Sequence, residues 1–220
     1  TRVRSSAASD VYKRQENTTP YELRPIIKNA VLAWNIAFEE AGFIDAIEVK
    51  IQPDDADWSA GDIRYNVLRW TSSPNPPFGG YGPSFTNPRT GEILGADIML
   101  EWIYLTNRVR YSEIFENQEK LNNDFCHNSL LKQENRIFGK LATEALDLNE
   151  NEISRLYEED LYQLILHEVG HTLGLNHNFA ASTLHNNSDV HNPEITYKEG
   201  LSSSVMDYHA LNIAPLGVEQ

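Results

Sequence analysis

Leu161–His177 reads LYQLILHEVGHTLGLNH, and the interpretation of the whole chain turns on this stretch. It contains His167, Glu168, His171, Gly174 and His177 in the order H-E-x-x-H-x-x-G-x-x-H. Two histidines four residues apart lie on one face of a helix, within reach of a single ion. Gly174 falls where that helix should stop, because a glycine takes the left-handed conformation there without strain. The chain can then turn and bring His177 back towards the same ion. Three imidazoles form an open zinc site, with the fourth position left for water. Glu168 is not a ligand. Its place beside the first ligand suits it to take a proton from that water. The competing reading is an amphipathic helix carrying chance histidines, but five fixed residues would then have to coincide with a helix stop.

A second signal lies downstream, in Ser204-Val205-Met206-Asp207-Tyr208. This run looks like the methionine turn, the other half of the metzincin signature. On these residues the chain resembles the metzincin clan of zinc endopeptidases. Trp34 to Ala214 looks closest to the catalytic domain of large bacterial zinc-dependent metalloproteases. The phrases that fit are Trp34-Asn35-x-Ala37-Phe38, Gly82-Pro83-Ser84-Phe85, Asp97-Ile98 and His177-Asn178-Phe179. The resemblance implies an α+β, metzincin-like catalytic domain, with a mixed and mostly parallel twisted sheet, an active-site helix and a small C-terminal subdomain. It implies Zn²⁺ as cofactor, Met206 as an apolar floor beneath the histidines, and a protein or peptide as substrate. Tyr208 stands where astacin-like and serralysin-like metzincins carry a tyrosine near the zinc, so a catalytic role in donating to an oxyanion is implied. Packing of the turn is the competing reading for Tyr208. His209 departs from the proline that often follows this tyrosine in the group resembled. A location outside the cytoplasm, whether periplasmic, cell-surface or secreted, is also implied only by the resemblance.

Composition is compatible with this. The 220 residues suffice for one domain with a substantial core or for two small lobes around a cleft. Apolar content of 40% and charged content of 23% are ordinary for a globular protein. No apolar run approaches the roughly 18 residues needed to span a bilayer. The formal charge of −14 argues against a nucleic-acid partner. The single cysteine, Cys126, allows no internal disulfide. Oligomeric state has no signature in the sequence.

Working outward to the N-terminus, residues 1–15 (TRVRSSAASDVYKRQ) show no helical or strand period. They carry Arg2, Arg4, Lys13 and Arg14 against one acid, Asp10, leaving 14 basic and 31 acidic residues elsewhere, a charge of −17. The ending Val11–Gln15 resembles translated sequencing-adaptor read-through, so the segment is set aside as non-native; a flexible basic arm is the alternative. Metzincins begin with a strand before the first helix. That position falls in the set-aside segment, so the first strand is expected to be missing. Residues 16–220 are then expected to form one truncated catalytic domain, with an upper lobe at 16–174 and a lower lobe at 175–220.

Thr19-Pro20-Tyr21-Glu22 reads as a capping box, with the regular helix starting nearer Leu23 because of Pro25. Leu23, Ile26, Ile27, Ala30, Val31, Trp34, Phe38 and Ala41 form a core stripe that Gly42 stops. Ile47 to Ile51 and Ile63 to Thr71 read as strands. Asp54, Asp55 and Asp57 match no calcium loop and read as a solvated turn. Tyr81 to Phe85, the turn Asn87–Gly91 and Ile93 to Trp102 read as strand, tight turn, strand. By resemblance, Tyr81 to Phe85 would be the antiparallel edge above the cleft, free to bind an extended peptide.

The middle of the chain carries no catalytic signature. Ser112 to Asn122 and Ser129 to Leu148 read as helices. Cys126-His127 has no second pair at ligand spacing. Glu152 to Leu173 reads as the active-site helix, with Ile153, Leu156, Leu164, Ile165 and Leu173 towards the core. His185, Asp189 and His191 form a second polar cluster, read as solvated rather than as a metal site. The function expected is zinc-dependent endopeptidase activity. The alternatives are a catalytically impaired zinc-binding module that recognises protein, a zinc hydrolase of another bond, and a structural helix without metal.

Overall fold

The computed structural model describes residues 11–73, 79–101, 150–209 and 212. The expected helices Ser112 to Asn122 and Ser129 to Leu148 lie outside the described residues, as do Cys126, His127 and Trp102.

Five strands form one sheet. They are β1 (Val11–Gln15), β2 (Ile47–Ile51), β3 (Asn66–Thr71), β4 (Gly80–Tyr81) and β7 (Ile98–Glu101), in the order β2-β1-β3-β7-β4. The pairings β1–β2, β1–β3 and β3–β7 are parallel, and β4 is antiparallel to β7 at the edge. A separate antiparallel pair joins β5 (Ser84–Thr86) to β6 (Ile93–Ala96). The fold is thus α+β with a mostly parallel sheet.

Several expectations need correction. The first strand is present, and it is Val11–Gln15, part of the segment set aside in the sequence. Lys13 stands opposite both Val49 and Asn66, so β1 is a central strand. Ladder bonds come from the backbone, and a polar strand can supply them as an apolar one does. The edge strand is also shorter than Tyr81 to Phe85. It ends at Tyr81, and Ser84–Thr86 pairs instead with β6. Pro83 lies between the two pieces and has no N–H for a ladder. The long strand expected over Ile93 to Trp102 is likewise divided at Asp97, whose carboxylate accepts from the Val67 N–H at 2.9 Å.

The helix α1 (Arg24–Glu40) follows a 3₁₀ turn at Tyr21–Leu23. Pro25 sits in its first turn, where a missing N–H costs nothing. The capping box does not form: no side chain caps either the turn or the helix. Gly42 has φ 95° and ends α1, with the Phe43 N–H returning to the Phe38 carbonyl at 2.8 Å. The Asn35 amide clasps both backbone groups of Ile47, donating to its oxygen at 2.9 Å and accepting from its N–H at 2.8 Å, which fixes α1 on β2.

The long helix α2 (Glu150–Thr172) packs beside α1 on the sheet. Leu161, Leu164, Ile165 and Val169 of α2 share one core with Ile27, Ala30 and Val31 of α1 and with Ile47, Leu68, Ile98 and Leu100 of the strands. The helical stripe that begins at Leu161, Leu164 and Ile165 continues to position 168. Glu168 therefore rides on the buried face, and it is fully buried. A short helix α3 (Pro193–Glu199) precedes the turn at Ser204–Asp207 and is capped by the Asn192 side chain on the Glu194 N–H. No helix among the described residues is long and apolar enough to cross a membrane.

Candidate active site

The site is built where α2 ends. Gly174 has φ 90°, and the N–H groups of Gly174 and Leu175 return to the carbonyls of His171 and Gly170, each at 3.0 Å. These bonds terminate the helix and redirect the chain, as a left-handed glycine permits. His177 thereby returns to the face carrying His167 and His171. One ligand atom from each of the three lies within 4.8 Å of the others, and His171 Nε2 stands 3.1 Å from His177 Nε2.

The outer nitrogens decide the tautomers. His167 Nδ1 lies 2.7 Å from the Val205 carbonyl oxygen, and His171 Nδ1 lies 2.9 Å from that of Leu175. A carbonyl only accepts, so both Nδ1 atoms carry the proton and each neutral ring keeps its Nε2 lone pair. Burial lowers the His171 pKa below the ordinary histidine value, against an opposing pull from the Leu175 carbonyl. A neutral imidazole is the form that binds a metal. Ligand nitrogens at zinc distance in a tetrahedron stand roughly 3.3 Å apart, so this donor set fits Zn²⁺.

Below the histidines lies the turn Ser204–Asp207. Met206 is buried there, and its N–H is held by Ser204 Oγ at 3.1 Å. The Asn178 N–H donates to the Met206 carbonyl at 2.9 Å, tying the third histidine's segment to this turn. A Cβ on Gly170 would run into Met206 Sδ and approach Trp34 Cζ2 to 3.1 Å. Only glycine lets the helix settle on the methionine. Trp34 in turn donates from Nε1 to the Leu166 carbonyl at 3.1 Å, one residue before His167.

Glu168 is seated by the edge strand. A Cβ on Gly80 would stand 3.3 Å from Glu168 Oε1, and one on Gly82 would stand 2.5 Å from the Glu168 carbonyl oxygen. Tyr208 reaches the same centre. Its hydroxyl is 2.7 Å from His177 Nε2, and its ring lies 5.4 Å from that of His167. His209, the departure noted in the sequence, contacts Gln163 on α2 one turn before His167.

The second polar cluster does not assemble. His185 Nε2 donates to the Gly200 carbonyl at 2.8 Å, and Asp189 accepts from Asn186 Nδ2 at 2.7 Å. Among the described residues, only His167, His171 and His177 form a group able to hold a metal. Asp54, Asp55 and Asp57 are exposed around a turn and join no such group.

Sequence reasoning missed the glycines that seat the site. Gly80 and Gly82 were signalled by the run Gly79-Gly80-Tyr81-Gly82, and Gly170 by its place inside the histidine motif. It also passed over Phe179 as more than a phrase of resemblance, although its ring stacks on His177 at 5.3 Å.

Residues 149–220 match a family model described as Met-zincin. Comparison with curated proteins and with solved structures returned no match. The three converging histidines and Met206 all fall inside the matched residues, so the similarity to the Met-zincin family lies where the candidate metal site is built.

Proposed function

We propose that the protein is a zinc-dependent endopeptidase. The observation that carries this reading is the burial of Glu168 against Gly80 of the edge strand and Gly82 just past its end, one residue after the first of three converging imidazoles. A site that only binds zinc has no use for a carboxylate held there.

His167, His171 and His177 would hold the metal through Nε2. Bound zinc supplies Lewis acidity, which lowers the pKa of a water towards about 7. Glu168 would accept the proton of the attacking water as the water oxygen adds to the scissile carbonyl carbon. As the C–N bond breaks, Glu168 returns the proton to the leaving amine. Proton and bonds balance without any further reactant. The Tyr208 hydroxyl, within hydrogen-bond distance of His177 Nε2, would donate to the oxygen that gains charge. This supports a role for Tyr208 in turnover.

The test compares wild type with Glu168→Gln on a mixed peptide library, with zinc content measured for both. The reading requires cleavage by wild type, and a loss of at least about a hundredfold in the variant at unchanged zinc. Near-normal turnover in zinc-loaded Glu168→Gln would remove the assigned base. Zinc without any cleavage by wild type would favour the protein-recognition alternative.

A further inference from the structure

We infer that Phe179 sets substrate specificity, by taking a large apolar or aromatic side chain of the peptide beside the scissile bond. The inference rests on the proteolytic reading of the site and names the substrate class that reading leaves open.

A lone exposed hydrophobic residue is ordinary on a protein surface. Phe179 differs in what it touches. Its ring stacks on His177, with centroids 5.3 Å apart and planes at 27°, and meets the edge of Tyr208 at 5.2 Å and 65°. It is nevertheless 58% exposed. One face of the ring is thus committed to the metal centre while much of the rest stands in water. Its backbone is fixed on both sides: the Asn178 N–H is held by the Met206 carbonyl, and the Phe179 carbonyl accepts from Ser182 Oγ at 3.1 Å. A rigid aromatic surface against a ligand histidine meets whatever group adjoins the reacting carbonyl. Aromatic partners gain from offset or edge-on contact with such a ring, and polar partners do not.

The experiment uses hydroxamates of single amino acids, which anchor on zinc and differ only in the neighbouring side chain. Affinities of phenylalanine hydroxamate and alanine hydroxamate are measured by calorimetry on zinc-loaded wild type, Phe179→Ser and Phe179→Leu, with zinc content determined for each. Wild type is expected to favour the phenylalanine compound about tenfold. The preference should fall to about twofold in Phe179→Ser and be partly kept in Phe179→Leu, at equal zinc content. Equal affinities in wild type overturn the inference, as does an unchanged preference in Phe179→Ser. Loss of zinc from both variants also overturns it, since the ring would then be a prop for His177. Failure of the proteolytic reading is a separate result: no peptide cleavage by wild type, with the hydroxamate preference intact.

Discussion

Gly82 lies so close to Glu168 that a Cβ on Gly82 would stand 2.5 Å from the Glu168 carbonyl oxygen and 3.2 Å from its Oε2. The edge of the sheet and the carboxylate beside the metal ligands are therefore one packed unit. The nearest atom is backbone, so no side-chain rotation can relieve a substitution. Gly82→Ala should push β4 and α2 apart. Displacing a catalytic group by about an ångström can cost on the order of a hundredfold in rate. The expected outcome is a kcat loss of that order with zinc still bound at one equivalent, checked by steady-state kinetics and metal analysis.

Gly170 and Met206 make a second such contact, under the histidines. Gly170→Ala overpacks a buried site bounded by Met206 and Trp34. Overpacking of this kind costs about 1–3 kcal/mol. Denaturant unfolding should show that loss, and the zinc affinity should fall with it because His167 and His171 flank the displaced turn.

Glu101 holds the chain that enters the edge strand. Its buried carboxylate accepts from Thr71 Oγ1 at 2.7 Å and from the Ser73 N–H and Oγ at 2.9 and 2.7 Å. Its own N–H donates to the Gly79 carbonyl at 2.9 Å. Glu101→Ala removes the acceptor these groups share and should destabilise the fold by about 1–2 kcal/mol. Glu101→Gln, which keeps one acceptor oxygen, should lose less, as unfolding curves of the two variants will show.

Lys13 makes stability depend on pH. Burial in β1 lowers its pKa from 10.5 to about 8, against a smaller opposing effect of Asp97. Below about 8 the charged amine is buried in the fold, and its cost of about 3 kcal/mol is fully present. Between about 8 and 10.5 the unfolded chain binds the proton that the folded chain has lost, so stability contributed by this residue rises with pH. Lys13→Met should accordingly be more stable than wild type by about 3 kcal/mol at pH 7, and the gap should close by about pH 10.5. Unfolding free energies of the two proteins across that range check both sign and window.

The metal site was legible because its information is local. Spacing on one helix, a glycine stop and the run Ser204–Tyr208 around Met206 are all visible in the one-dimensional pattern. Even the burial of Glu168 follows from the stripe Leu161, Leu164 and Ile165. What was illegible depends on neighbours distant in sequence. Lys13 and Gln15 look like solvent-facing residues, yet they are 3% and 1% exposed, and Gln15 Nε2 donates to the Arg24 carbonyl at 3.0 Å. Nothing in a polar, aperiodic run announces a central strand. The need for glycine at positions 80 and 82 likewise arises only when α2 arrives beside them. The edge strand stops short of Phe85 because Pro83 offers no ladder N–H, which the resemblance to a longer edge does not convey.

Zinc should also stabilise the fold. A ligand at a hundred times its Kd adds about 2.7 kcal/mol if it binds only the folded state. Chelation should lower the Tm of wild type reversibly, while His171→Ala, with one ligand removed, should show little further change.

The most direct test of the account is the rate of peptide-bond cleavage by metal-free protein as zinc is added back. The account predicts no cleavage without zinc, a rise that saturates at one equivalent, and no rise in Glu168→Gln titrated alongside. Cleavage that is unchanged by zinc, or its absence with one equivalent bound, would contradict it.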